Sequence, residues 1–558
     1  MGTASRSTPS PRRASSQPCF RCCSRGTPSP DRHREGKRTM VVHTPHGRVQ
    51  GLEHRGYREF LGIPYAAAPY PRHAFDPPRP LAPWSGVFEA TAPGATAAHP
   101  PVARELFPDP VIEGPNPLNL NVYAPSNADG HSPVLVWLHG GGFFSGGNAS
   151  PWYTGESFAR NGIVVVVPNY RLAAEGFMLL DDGIANRALL DIILALEWVR
   201  DDIEAFGGDP GNVTVAGQSA GATATLALSG CPGARGLFHR LAAMSAGTPL
   251  LSSLDRTRML SEEFAARLGT RRTVAALTGT SVHKRLELET AWLPKEVQAP
   301  PADVDDRARG VRRNSLRWQP TLDGTVVTAS PSDALTAGSL DALLIGTTVE
   351  EWNFMLGQTA PAPSLDACLQ GFANLGLTGQ DLTDYLRAMA TDNPGHALAQ
   401  ALTDRTFRMP ARELADGAAK AGIPTYTYQF AWPAPVFGAA HCADLPFVFD
   451  HLDAPGVAGL LGPGAPAQLA TALHGALVRF VREGSPGWSP YDTEARAVRV
   501  FDVEVREVVD AVGLLPDRLR AACGSNGRAR GALCDTPPPP RSLSVRGSGG
   551  SSRRERVP

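Results

Sequence analysis

Five short apolar runs punctuate the middle of the chain, and each stops at small or turn-forming residues. They are SPVLVWLHG (132–140), GIVVVVPNYRL (162–172), NVTVAG (212–217), LDALLIG (340–346) and TYTYQF (425–430). The second holds four consecutive valines. It is too apolar for a sheet with one wet face and reads as a strand buried on both sides. Between the runs, LLDIILALEWVRDDIEAFGG (189–208) has helical spacing and stops at Gly207-Gly208. Strands that alternate with helices predict an α/β fold, with a mostly parallel central sheet and helices on both faces. Residues from about 250 to 315 are helical in pattern and polar, and read as an insertion rather than as sheet. Ligands in such sheets bind beyond the carboxyl ends of the strands, which is where the glycine clusters fall.

Composition changes the picture at the two ends. The chain has 558 residues and is 42% hydrophobic, enough for a large core. No apolar run is long enough for a transmembrane helix, so no membrane span is expected. Residues 1–40 hold nine Lys/Arg against two Asp/Glu, and residues 524–558 hold seven against two, yet the whole chain is at −1. The body between them is therefore acidic, which argues against nucleic acid as a partner. Both ends lack the apolar surface to offset chain ordering. They read as disordered tails, 1–40 and 524–558, around one folded domain, 41–523. Arg12-Arg13 hints at twin-arginine export, but no apolar segment follows it. Cys19-x-x-Cys22 has no second ligand pair at zinc spacing. The cysteines beyond the first tail are scattered, which predicts no disulfide framework and a cytoplasmic protein, with secretion as the alternative.

The chemistry centres on VTVAGQSAGATATLAL (213–228), where Ser219 stands between glycines two places before and after it. A strand that turns at once into a helix forces its hinge into a sparsely allowed conformation. Side chains two positions either side would collide there. The hydroxyl is then held clear of the sheet at a helix N-terminus, the arrangement of a nucleophile elbow. A second signal, HGGGFF (139–144), also follows a strand. Its bare backbone lets the N–H groups of Gly141 and Gly142 join that of Ala220 around an oxyanion. A serine nucleophile needs an imidazole, and the imidazole needs an acid, in the chain order Ser, acid, His. His239 and His283 come too early, His396 and His474 lie in helical patterns, and His451 follows FVFD. His441 lies in a loop after the last strand-like run. Glu350 and Glu351 both follow the strand at 340–346, and spacing does not choose between them.

Several stretches resemble the type-B carboxylesterases, large α/β-hydrolases that include the cholinesterases. They are FLGIPYAAAPYPRHAFDPPRPLAPWSGV (60–87), LNLNVYAP (118–125), HGGGF (139–143), NYRLAAEGF (169–177), ALEWVRDDIEAFGGDPGNVTVAGQSAGA (195–222), GTTVEEW (346–352) and HCADLPFVF (441–449). The resemblance covers about 41 to 520. It implies the α/β-hydrolase fold with helical insertions, Ser219 as nucleophile, Glu351 rather than Glu350 as acid, and His441 as base. It carries Gly141, Gly142 and Ala220 onto the oxyanion hole. Gln218 replaces a frequent glutamate. Ala74 and Pro115 take the two positions of a family ion pair, so both partners are missing together. Trp352 occupies a usual glycine position and, with Phe143 and Phe144, is a candidate for the substrate pocket.

The expected activity is hydrolysis of a small-molecule carboxylic ester through an acyl-enzyme. No metal or organic cofactor is needed, and the expected state is a monomer or weak homo-oligomer. The same machinery acting on an amide, carbamate or lactone is the alternative. A non-catalytic, neuroligin-like binding role is disfavoured because every triad position is kept.

Overall fold

The computed structural model describes residues 38–100, 107–292, 316–337, 340–356 and 363–509. Arg12-Arg13, the Cys19/Cys22 pair and the tail from 524 lie outside the described residues. Strand β1 (Arg38–Thr44) begins at Arg38, inside the stretch read as tail.

Thirteen strands form one sheet. Its N-terminal part contains β1, β2 (Gly47–His54), β3 (Tyr57–Pro64), β4 (Val87–Glu89) and β5 (Asn119–Pro125). Then come β6 (Ser132–Leu138), β7 (Val164–Pro168), β8 (Gly208–Gln218) and β9 (Arg240–Met244). Short strands β10 (Ser252–Ser253) and β11 (Thr321–Leu322) pair separately. Strands β12 (Ala342–Thr348), β13 (Thr425–Phe430), β14 (Ala497–Phe501) and β15 (Arg506–Val509) complete it. The spatial order is β1-β2-β3-β5-β7-β6-β8-β9-β12-β13-β14-β15, with β4 beside β2. From β7 to β14 the neighbours are parallel, and antiparallel pairs close both ends. All five sequence-predicted strands fall in this parallel block. Every residue of β7, β12 and β13 is buried, as a sheet covered on both faces demands.

The long helix Arg187–Asp202 covers one face with Leu189, Ile192, Leu196 and Val199, all buried. It also carries Asp191, whose carboxylate accepts from Arg171 Nε at 2.9 Å, Nη2 at 2.6 Å and the Arg171 backbone N–H at 3.0 Å. Arg171 donates again to the carbonyls of Ala74 and Asp76, at 3.0 and 2.6 Å. Both side chains are fully buried, so their desolvation is offset by this pairing together with the two carbonyl hydrogen bonds. Asp191→Ala leaves a buried guanidinium without its carboxylate, and chemical denaturation should show a loss of about 3–5 kcal/mol. Replacing both partners with Met and Leu should cost clearly less. An Asp191→Ala protein as stable as wild type would refute this assignment.

The stretch from 250 to 292 is mainly helical, with helices Leu254–Leu268, Val274–Thr278 and Val282–Trp292. The expectation of an insertion without sheet is corrected in one detail: Ser252 and Ser253 pair in parallel with Thr321 and Leu322. Two-residue strands leave no alternation to read. No disulfide joins cysteines among the described residues, where Cys231, Cys368 and Cys442 are buried thiols. Among those residues, no helix is long and apolar enough to cross a membrane.

Candidate active site

Strand β8 ends at Gln218, and the helix Ala220–Leu228 begins after a single intervening residue. Ser219 makes the turn with φ 59° and ψ −123°. Such values are rare for a residue with a Cβ and persist only where the surroundings enforce them. The two glycines have separate reasons. A Cβ on Gly217 would lie 2.5 Å from the Gly221 carbonyl carbon, and one on Gly221 would lie 2.0 Å from the Leu138 oxygen. The hinge is anchored by Ser219 N–H donating to Met244 O at 2.9 Å. The helix therefore starts directly behind the hydroxyl, and its first N–H groups have no intrahelical acceptor.

His441 Nε2 lies 2.8 Å from Ser219 Oγ, and His441 Nδ1 lies 2.5 Å from Glu351 Oε2. With the proton on Nδ1, where the carboxylate accepts it, Nε2 offers its lone pair to the serine hydroxyl. Glu351 is fully buried, and its other oxygen accepts the Thr348 N–H at 2.9 Å, which fixes the carboxylate plane. The His441 side chain is 14% exposed. Burial disfavours a charged ring. Cys442 and the Glu351 carboxylate act the other way and prevail, so the imidazolium is held well above the ordinary histidine range. Glu350 points elsewhere, to Ala439 N–H at 2.8 Å and toward His396 at 3.5 Å.

The glycine loop lies against the serine: a Cβ on Gly140 would stand 3.3 Å from Ser219 Cβ. His139 orients the first peptide of this loop, its Nδ1 donating to Gly140 O at 2.8 Å. Gly141 O accepts from Ser145 N and Phe144 N at 3.0 and 3.1 Å. In a trans peptide the N–H points opposite to the C=O. Anchoring these two carbonyls turns the N–H groups of Gly141 and Gly142 the other way. Gly141 and Gly142 have φ of 111° and 61°, open only to glycine without strain. Burial lowers the His139 pKa to about 4, so the ring is neutral.

Of the three pocket candidates, each of which could equally be a core residue, Phe143 lies deepest. It is fully buried and packs edge-on against Phe177 at 4.8 Å, and its carbonyl accepts Ala173 N–H. Its φ of 63° accompanies a ring placed in the core. Phe144 is half-buried, and its ring covers Gly142, within 2.5 Å of where a Cβ would be. Trp352 is half-buried against Phe407 at 6.2 Å between ring centres, and Phe407 lies 5.1 Å from the His441 ring.

Three neighbours of the triad were not read as site residues. Phe407 sits on a π-helical turn, Asp404–Arg408, whose wider spacing helical periodicity does not reveal. Gln218 Nε2 reaches His441 Nε2 at 3.2 Å, so it shares the lone pair with Ser219. Asp444, three residues beyond the base, is fully buried and accepts from Tyr428 O–H at 3.1 Å. Burial, aided by the Glu351 charge, pushes Asp444 up to about 6. Two of them had a sequence signal: Gln218, the noted replacement beside the serine, and Asp444, in the quoted HCADLPFVF. Among the described residues, no group of three or more His, Cys, Asp or Glu is arranged to hold a metal ion.

The profile of the carboxylesterase family matches residues 38–507. The chain is 32% identical over 486 residues to para-nitrobenzyl esterase of Bacillus subtilis, covering 84% of this chain and 95% of that one. It is 31% identical over 498 residues to phenmedipham hydrolase of Pseudarthrobacter oxydans, covering 84% and 96%. A solved carboxylesterase of Geobacillus stearothermophilus superposes with a TM-score of 0.72 at 32% identity, covering 87% of this chain and 99% of that one. With the fold and most of its length matched in this way, the chain belongs to the carboxylesterase family and is a carboxylic ester hydrolase of the α/β-hydrolase fold.

Proposed function

We propose that the protein cleaves small-molecule carboxylic esters through an acyl-enzyme formed on Ser219. The observation that carries this reading is the unbroken hydrogen-bond chain from Ser219 Oγ through His441 to Glu351, at a strained strand–helix junction. His441 Nε2 accepts the hydroxyl proton as Ser219 Oγ attacks the ester carbonyl. Glu351 holds the ring and stabilises the imidazolium. The N–H groups of Gly141, Gly142 and Ala220 receive the oxyanion, each such donor being worth about 3–4 kcal/mol of barrier. His441 then gives the proton to the departing alcohol, and water repeats the sequence on the acyl group. These side chains and backbone groups suffice for every step.

The test is a panel of p-nitrophenyl esters of increasing acyl length beside matched anilides, carbamates and lactones. Saturable ester turnover, with burst kinetics where deacylation is slow, supports the reading. Turnover confined to anilides would move the assignment to amide hydrolysis. The same panel on a 40–523 fragment tests whether the two tails are dispensable; they are expected to be.

A further inference from the structure

The second carboxylate of the GTTVEEW segment has an environment that argues for a task of its own. The loop carrying the acid and the loop carrying the base follow neighbouring parallel strands, β12 and β13. Several links join them. Val349 N–H donates to Phe430 O at 3.0 Å, and His441 N–H donates to Glu351 O at 3.2 Å. Glu350 supplies two more. Its backbone N–H donates to Ala439 O at 3.1 Å, and its Oε2 accepts the Ala439 N–H at 2.8 Å. Both backbone groups of Ala439, two residues before His441, are thus held by one glutamate.

The surroundings are shaped around that carboxylate. Gly438 has φ +69°, and a Cβ there would come within 2.2 Å of Glu350 Oε2. A larger residue would evict the oxygen from the Ala439 N–H. Asn353 hydrogen-bonds the same carboxyl group, and His396 approaches Oε1 from the helix Pro394–Thr403 at 3.5 Å. The group is largely withdrawn from water, at 19% exposure, which strengthens each of these bonds.

We infer that Glu350 is a positioning residue for His441: its side chain clamps the Ala439 backbone and so fixes the loop that aims the imidazole at Ser219. It touches neither substrate nor serine. The inference rests on the reading of His441 as the base. Small displacements of a catalytic group are costly, up to about a hundredfold per ångström.

The experiment compares Glu350→Gln, Glu350→Asp and Glu350→Ala in the full chain. It measures kcat and KM on a short p-nitrophenyl ester, the rate of Ser219 labelling by a p-nitrophenyl phosphonate, and the melting temperature. Gln keeps an acceptor at full reach, and kcat should stay within about threefold of wild type. Asp keeps the charge but retracts by one methylene. Asp and Ala should each lose about 10–100-fold in kcat and in labelling rate, with KM within about threefold. If the Ala variant fails to fold, the Gln and Asp pair still decides, because a clamp ranks Gln above Asp and a purely electrostatic role ranks Asp above Gln. Wild-type kcat in both Asp and Ala, or Asp outperforming Gln, overturns the inference. Failure of the wild type to be labelled at all would instead remove the triad reading beneath it.

Discussion

Ser219→Ala should lower kcat on any ester substrate by roughly a millionfold while leaving the protein folded. The lost hydroxyl is the only group at the hinge that can form the acyl bond, so no neighbour replaces it. Binding and oxyanion donors remain, and a remnant of about 10³–10⁴-fold over water should survive from them. Ser219 Oγ is hydrogen-bonded to His441, whose Nε2 is also reached by Gln218, so the ring keeps a partner when the hydroxyl is gone. A melting temperature within a few degrees of wild type is therefore expected. Stoichiometric labelling by a phosphonate should disappear with the hydroxyl. Activity within a hundredfold of wild type would place the nucleophile elsewhere.

Glu351→Gln should cost about 10⁴-fold in kcat. The amide matches the carboxylate in shape and can still touch His441 Nδ1 and Thr348 N–H. It offers one acceptor where the carboxylate offers two, so the Nδ1 proton and the Thr348 N–H compete for it. A donating amide favours the ring tautomer with its proton on Nε2, which cannot take one from Ser219. The sign of the pH effect follows from the charges. The carboxylate helps hold the imidazolium above its ordinary range, so its neutralisation lowers the pKa of His441. The acid limb of kcat/KM should move to lower pH, and the residual activity should persist further into acid. An acid limb that stays in place would mean that another group governs it.

The parallel core and the strained strand–helix junction at Ser219 were legible in the sequence because both rest on local rules. Four valines in a row report a strand wet on neither side, and two glycines around Ser219 report backbone contacts at 2.5 and 2.0 Å that no Cβ survives. His441 emerged by elimination from its loop position. The choice between Glu350 and Glu351 was not local. Both follow the same strand, and which one faces the base is set by how the 431–441 loop folds back over them. The family resemblance chose, and Glu351 is the carboxylate that lies against the ring. Phe143, beside a glycine loop, could be read as a pocket wall or as core, and sequence alone did not choose. Its left-handed backbone, invisible in composition, accompanies a ring placed in the core. Phe407 precedes His441 by a long stretch of chain, on a turn whose period differs from that of an α-helix, so no pattern linked the two.

Ser219 and His441 are separated by 222 positions, and three strand pairings, β8 to β9 to β12 to β13, lie between them in space. Such long-range closure comes at the slow end of chain assembly. Hydrolytic turnover during recovery from denaturant is therefore a late clock. On the proposed triad it should start only once β13 and the loop carrying His441 have docked, and a nascent polypeptide that ends before β13 should leave Ser219 without the imidazole proposed to activate it.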